Sequence, residues 1–165
     1  MILKLSKRTM IGRHGTDDPV MDDLFSYWNC KREGRETPNA EALFISGVNL
    51  ELPWIVLVFR DVSGFRGEFA GSEAQDMIGF DPSGEVLNER DENRVLAGLA
   101  SSCAGVSSSR DPDLLLTHGW SAISLPFTDD RDRVTVILCA VVPFVVTEKS
   151  TVVPFPPTGR HKRTL

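Results

Sequence analysis

At 165 residues, with 41% hydrophobic and 25% charged side chains, the chain has the length of one domain and enough apolar residues for a real core. That balance excludes a wholly disordered chain. The longest apolar stretch, residues 134–146, holds Thr135 and Pro143 and is too short and too β-branched for a spanning helix. A net charge of −5 argues against a nucleic-acid-binding surface.

Residues 1–16 are mixed and basic, and read as a lead-in without the continuous apolar run of a signal peptide. Asp18-Pro19 starts a helix: the Asp can cap it, and proline suits the first position, where no N–H is needed. Met21, Leu24, Phe25 and Trp28 follow on one helical face, and Lys31, Arg32 and Gly34 close the element. Pro38 and Gly47 break residues 37–52, where Ala42 to Ile45 form a short turn or strand. From Pro53 the period becomes two, with Ile55, Leu57 and Phe59 opposite Val56, Val58 and Arg60. A turn at residues 61–64 makes residues 54–70 a β-hairpin. Ser72 and Gln75 have the spacing of a capping box for a two-turn helix stopped at Gly79.

After a turn at residues 81–84, a longer helix is expected from about Arg90 to Ala104, buried through Val95, Leu96, Leu99 and Cys103 and ended by a loop at Ser107 to Ser109. Three strands complete the pattern, at about 114–118, 121–127 and 133–145. The tail, residues 149–165, holds Pro154, Pro156 and Pro157 and the basic run Arg160-His161-Lys162-Arg163; it is expected to be extended and solvated, the alternative for the basic run being a weak anchor for a phosphate or an acidic partner. The domain proper is residues 17–148. Its fold class is α+β: a five-stranded antiparallel sheet with helices on one face and the N-terminal helix packed on the sheet.

One strand exceeds ordinary patterning. Val134, Val136, Leu138, Ala140 and Val142 alternate with Ile137, Cys139 and Val141, so both faces are apolar and something must cover each. The N-terminal helix is the nearest cover and a second subunit the next. Leu24, Phe25, Trp28, Val136 and Leu138 are therefore interface candidates, and a homodimer is expected. Cys30, Cys103 and Cys139 have no metal-ligand spacing and no disulfide framework. An odd count suits a reducing cytoplasm, and each thiol sits on an apolar pattern as a small buried hydrophobe.

Several motifs stand in a consistent order: Trp28, Arg32, Gly34, Arg35 and Pro38; then Phe65 to Ser72, ending Phe69-Ala70-Gly71-Ser72; then Gly79 and Gly84; then Leu125-Pro126-Phe127 with Asp130. In that order and spacing the chain resembles a bacterial branch of single-domain PAS proteins with a Trp-bearing N-terminal helix, over roughly residues 20–145. It departs from that pattern at Ala40 to Leu43, where an acidic-Pro pair is common, and at Glu68-Phe69, where an Arg is.

The resemblance implies a sensory or regulatory module, not an enzyme, that holds any ligand between the sheet and the central helices. Leu57, Phe59, Phe69, Met77, Leu96, Leu99, Ile123 and Cys139 are the pocket candidates. The run of a flavin photoadduct site is missing, and the helix at 90–104 has no histidine for haem, so the sequence names no cofactor. It also shows no metal set and no catalytic triad. Any output acts in trans, on a signalling partner, in the cytoplasm. The alternative is a small α+β enzyme or carrier with a cone-shaped pocket, using His118 or Asp76 as base.

Overall fold

The computed structural model describes residues 3–4 and 18–144. The Asp18 carboxylate accepts from the N–H groups of Val20 and Met21 at 2.8 and 3.3 Å, and Pro19 opens helix α1 (Pro19–Lys31). Three short 3-10 turns, Ala40–Ala42, Ile45–Val48 and Leu52–Trp54, then lead to the sheet. Its strands are β1 (Leu3–Lys4), β2 (Ile55–Asp61), β3 (Gly64–Ala70), β4 (Asp113–Leu116), β5 (Gly119–Thr128) and β6 (Val134–Phe144). Helices α2 (Ser72–Ile78) and α3 (Arg94–Ser109) come between β3 and β4.

The sheet order is β1-β4-β5-β6-β2-β3 and every pairing is antiparallel. Five strands form the expected sheet. The two-residue β1, from the segment read as a lead-in, adds to the β4 edge through Leu3–Leu116 and Lys4–Leu115. The rest of that segment, and the tail after Phe144, lie outside the described residues.

Side chains alternate along β6, so one strand feeds two cores. Ile137, Cys139 and Val141 pack with Val56, Val58 and the α3 residues Val95, Leu96, Leu99, Cys103 and Val106. Leu138, Ala140 and Val142 pack with Met21, Leu24 and Trp28 of α1. Helix α1 therefore covers one face of the sheet, and α2 with α3 covers the other. Each fully buried aliphatic side chain contributes about 1.5–3 kcal/mol, so neither layer is an ornament on the other.

Local readings change in five places. Val134 belongs to the α3 side and Val136 to the α1 side, although both were expected on one face. The cause is a β-bulge: Phe127 pairs with Val136 but Thr128 with Val134, so Thr135 is extra and the alternation flips. Helix α3 starts at Arg94, not Arg90, because Asn93 is the residue whose side chain caps it. Ser107 to Ser109 are its last turn, and the stop is Arg110 in left-handed conformation (φ 60°). Ser72 does not cap α2: Gly71 holds the cap position without a side-chain bond, while Gln75 Nε2 donates to the Ala70 carbonyl at 2.9 Å. Finally, Cys30 is exposed. It lies about 200° around α1 from buried Trp28, on the solvent side.

Candidate functional site

The eight pocket candidates do not share one space. Met77, Leu96, Leu99 and Cys139 lie on the α2–α3 side of the sheet, whereas Leu57 and Ile123 pack under α1. Phe59 pairs with Val136 and Phe69 with Leu57, at the β2–β3 end of the sheet, and they are 40% and 36% exposed. Alternation tells which residues share a face. It does not tell which helices cover that face, and Val56 and Val58 are the β2 residues that meet α3.

The interface candidates form a contact inside the chain. Leu24, Trp28 and Leu138 are fully buried, and Phe25 and Val136 pack against them. Trp28 stacks on Phe25 at 5.9 Å, and its Nε1–H donates to the Pro126 carbonyl at 2.7 Å, which fixes α1 on β5. The first and last motif groups, through Trp28, Arg32, Pro38 and Asp130, meet in the same region, whereas Phe65 to Ala70 lie on β3 and Gly79 ends α2. The Arg32 guanidinium lies over the Trp28 ring at 5.7 Å, Thr128 N–H donates to the Pro38 carbonyl at 2.9 Å, and Asn39 Nδ2 reaches Asp130 Oδ1 at 3.2 Å. Beside this seam Thr37 Oγ1 donates to the Arg110 carbonyl, and Arg35 faces Asp132 across a polar cleft of about 390 Å³. These two groups and their neighbours thus join α1 and the end of α3 to the β5–β6 hairpin.

Between α3 and the sheet lies a buried polar chain. Ser102 Oγ is 2.8 Å from both Asp113 Oδ2 and Ser124 Oγ; Ser124 Oγ is 3.5 Å from Cys139 Sγ, which is 4.0 Å from Cys103 Sγ. A hydroxyl has one proton to give. If Ser102 gives its proton to the Asp113 carboxylate, Ser124 must donate to Ser102, Cys139 to Ser124 and Cys103 to Cys139. Contact with Cys139, burial and the Asp113 charge push the Cys103 thiol well above the ordinary range, so it stays protonated and a poor nucleophile. All five residues are almost fully buried. The polar chain fills part of the space between α3 and the sheet.

An open groove of about 850 Å³ runs along α3 and is lined by none of these five residues. Met77 and Ile78 of α2, Arg94, Ala97, Gly98 and Ser101 of α3, and Thr117, His118 and Trp120 of the β4–β5 hairpin line it, with Glu89 and Asp91 at the rim. Asn93 holds one end together: its Oδ1 accepts from Val95 and Leu96 N–H at 3.1 Å each, and its Nδ2 donates to the Ile78 carbonyl at 2.7 Å. At the other end Thr117 N–H and Oγ1 both donate to the Trp120 carbonyl, at 3.0 and 2.7 Å, across a turn that needs Gly119 at φ 102°. The Trp120 indole lies against α3 where a Cβ on residue 98 would sit 2.6 Å from Cη2, so Gly98 makes that approach possible.

The groove therefore offers a half-buried aromatic wall, a small-residue floor, a guanidinium, an exposed imidazole and two carboxylates. Such a surface suits recognition of an extended or planar molecule. Sequence reasoning reached His118 and Met77 but missed Trp120, Gly98 and Arg94. The available signal was a glycine inside the longest helix together with a Trp directly after a His-Gly turn. Asp76 is exposed on α2 and is not among the residues lining the groove.

No family model, curated protein or solved structure matches the chain. The structure defines the class, an α+β domain with an antiparallel sheet covered on both faces. Among the described residues no helix is long and apolar enough to cross a membrane, and no group of three or more potential metal ligands comes together.

Proposed function

We propose that the chain is a PAS-type sensory or regulatory module of bacterial signalling, working in the cytoplasm as a binding protein rather than an enzyme. The order and pairing of its five longer strands are compatible with that fold, and the motif order points to it. The observation that carries the functional part is the Trp120 groove, a preformed surface with an aromatic wall and convergent polar groups. The space between α3 and the sheet is occupied by fully buried side chains, which supports binding at the groove rather than in the interior. Strand β5 links the two ends of the device: Trp120 stands at the groove, and the Pro126 carbonyl holds α1. A small molecule at the groove would bias the position of β5, and α1 would present the change to a signalling partner or a second copy in trans.

Native mass spectrometry of the purified full chain tests this reading. We expect a retained small molecule that is lost in Trp120→Ala, or a dimer. A wild-type chain that is monomeric, carries nothing and binds no added small-molecule probe set would sink it.

A further inference from the structure

The outer face of α3 lacks the charged side chains that a solvated helix usually carries. Beyond Arg94 the helix reads Val-Leu-Ala-Gly-Leu-Ala-Ser-Ser-Cys-Ala-Gly-Val-Ser-Ser-Ser, and Ala97, Gly98 and Ser101 form the groove floor beside Trp120. A shallow, uncharged floor against an indole wall fits a chain segment that presents rings and branched side chains without needing a deep hole. Prolines meet that description, because aromatic-lined grooves take up polyproline-type segments at low entropic cost.

The same chain carries such a segment. Residues 152–157 read Val-Val-Pro-Phe-Pro-Pro, and Arg160, His161, Lys162 and Arg163 follow. The chain leaves the sheet next to the groove: Pro143 pairs with Trp120 itself, and Phe144, the last described residue, with Gly119. From Phe144 to Pro154 ten residues at about 3.1 Å each reach some 30 Å, whereas the α3 floor from Arg94 to Ser101 is about 10 Å long. Charge also favours this, since Glu89 and Asp91 outweigh Arg94 among the charged groups lining the groove and the end of the segment is basic.

We propose that residues 152–157 of the chain are an internal ligand for the Trp120 groove, with the basic residues after them facing the acidic rim. Tethering raises the local concentration of the segment, so a weak intrinsic affinity is enough for docking until a tighter-binding small molecule displaces it. Anything else that uses the groove must first displace the segment. This inference stands on the groove and the chain exit, and does not require that the natural signal be a small molecule.

A spin label on Thr158→Cys, just past the segment, in the full chain with Cys30→Ser to remove the exposed native thiol, tests it. We expect loss of the amide signals of Gly98, His118 and Gly119 and of the Trp120 indole N–H, with the buried Trp28 indole spared. Intact signals at the groove overturn the proposal. So does a loss that appears only when isotope-labelled and spin-labelled copies are mixed, because the occupant is then a second copy. As an independent check without a label, Phe155→Ala should shift the same four signals; an unchanged spectrum counts against docking. Failure of these tests leaves the sensory reading to the mass-spectrometric experiment.

Discussion

Trp28 makes a packing contact and a hydrogen bond that substitution can separate. Trp28→Phe keeps a ring beside Phe25 but leaves the buried Pro126 carbonyl without its donor, at a cost of about 1–3 kcal/mol. Trp28→Ala also opens a large cavity and should cost about 3–5 kcal/mol. Urea unfolding of the two variants checks the order, and equal losses would show that the hydrogen bond contributes everything. The cysteines differ as sharply. At pH 8 a thiol reagent should modify Cys30 alone in the native chain, and all three after denaturation. Rapid native reaction of Cys103 would contradict its burial. The raised Cys103 value has a definite sign: the folded state favours the protonated thiol, so its contribution is complete below the ordinary value of 9.0 and fades as pH rises above it. One such proton gives a slope of about 1.4 kcal/mol per pH unit, which Cys103→Ala should remove from a stability–pH profile above pH 9. Asp129, Asp61 and Asp81 have the opposite sign. Bonds from the Arg133 backbone, the Arg66 side chain and Ser83 respectively hold their carboxyls below 3.8, so what they add is lost as pH falls through the folded values; Asp61 and Asp81 are exposed and Asp129 is half-buried, so solvent screening keeps the effect small.

Elements were legible where one local rule decides them. Asp18-Pro19 fixed the start of α1, Gly79 the end of α2, and alternation the course of β2 and β3, because caps and pleats depend on near neighbours. Long-range pairing decided the rest. Nothing near Thr135 announces a bulge, since the extra residue exists only relative to β5, and Leu57 joined the wrong pocket list because layer order is a tertiary fact. Gly98 and Gly71 make this testable, because each is tight against a different kind of atom. In Gly98→Ala the new Cβ meets the Trp120 ring and a Leu115 methyl, which can shift, while the gain in helix propensity of about 1 kcal/mol works the other way. The net loss should be small, at most about 2 kcal/mol, with Trp120 displaced and its near-UV signal changed. In Gly71→Ala the Cβ runs into the Leu52 and Pro53 backbone, which cannot rotate away, so the loss should exceed that of Gly98→Ala. The reverse order in thermal unfolding would mean that the 3-10 turn at Leu52–Trp54 yields more easily than the indole.

For the whole molecule the open question is whether α1 is a detachable cover or part of one cooperative unit. The cores on the two faces share β2, β5 and β6, and neither side of these strands is wetted at its centre. Leu24 of α1 and Leu99 of α3 are both fully buried, so replacing either by Ala should cost about 2–5 kcal/mol, a large part of a typical total of about 5–15. If the sheet and both layers unfold together, each substitution lowers hydrogen-exchange protection of the β6 amides by the same amount as it lowers global stability. If α1 opens alone, Leu24→Ala speeds exchange in α1 and leaves β6 protected, while Leu99→Ala does not. We expect the first pattern, because removing α1 would expose Ile55, Ile123, Leu125, Phe127 and Leu138 together. At about 1.5–3 kcal/mol for each large apolar side chain, that exposure is comparable to the stability of the entire domain. A signal that moved α1 would then have to slide it along the sheet, keeping Trp28 near Pro126, rather than release it.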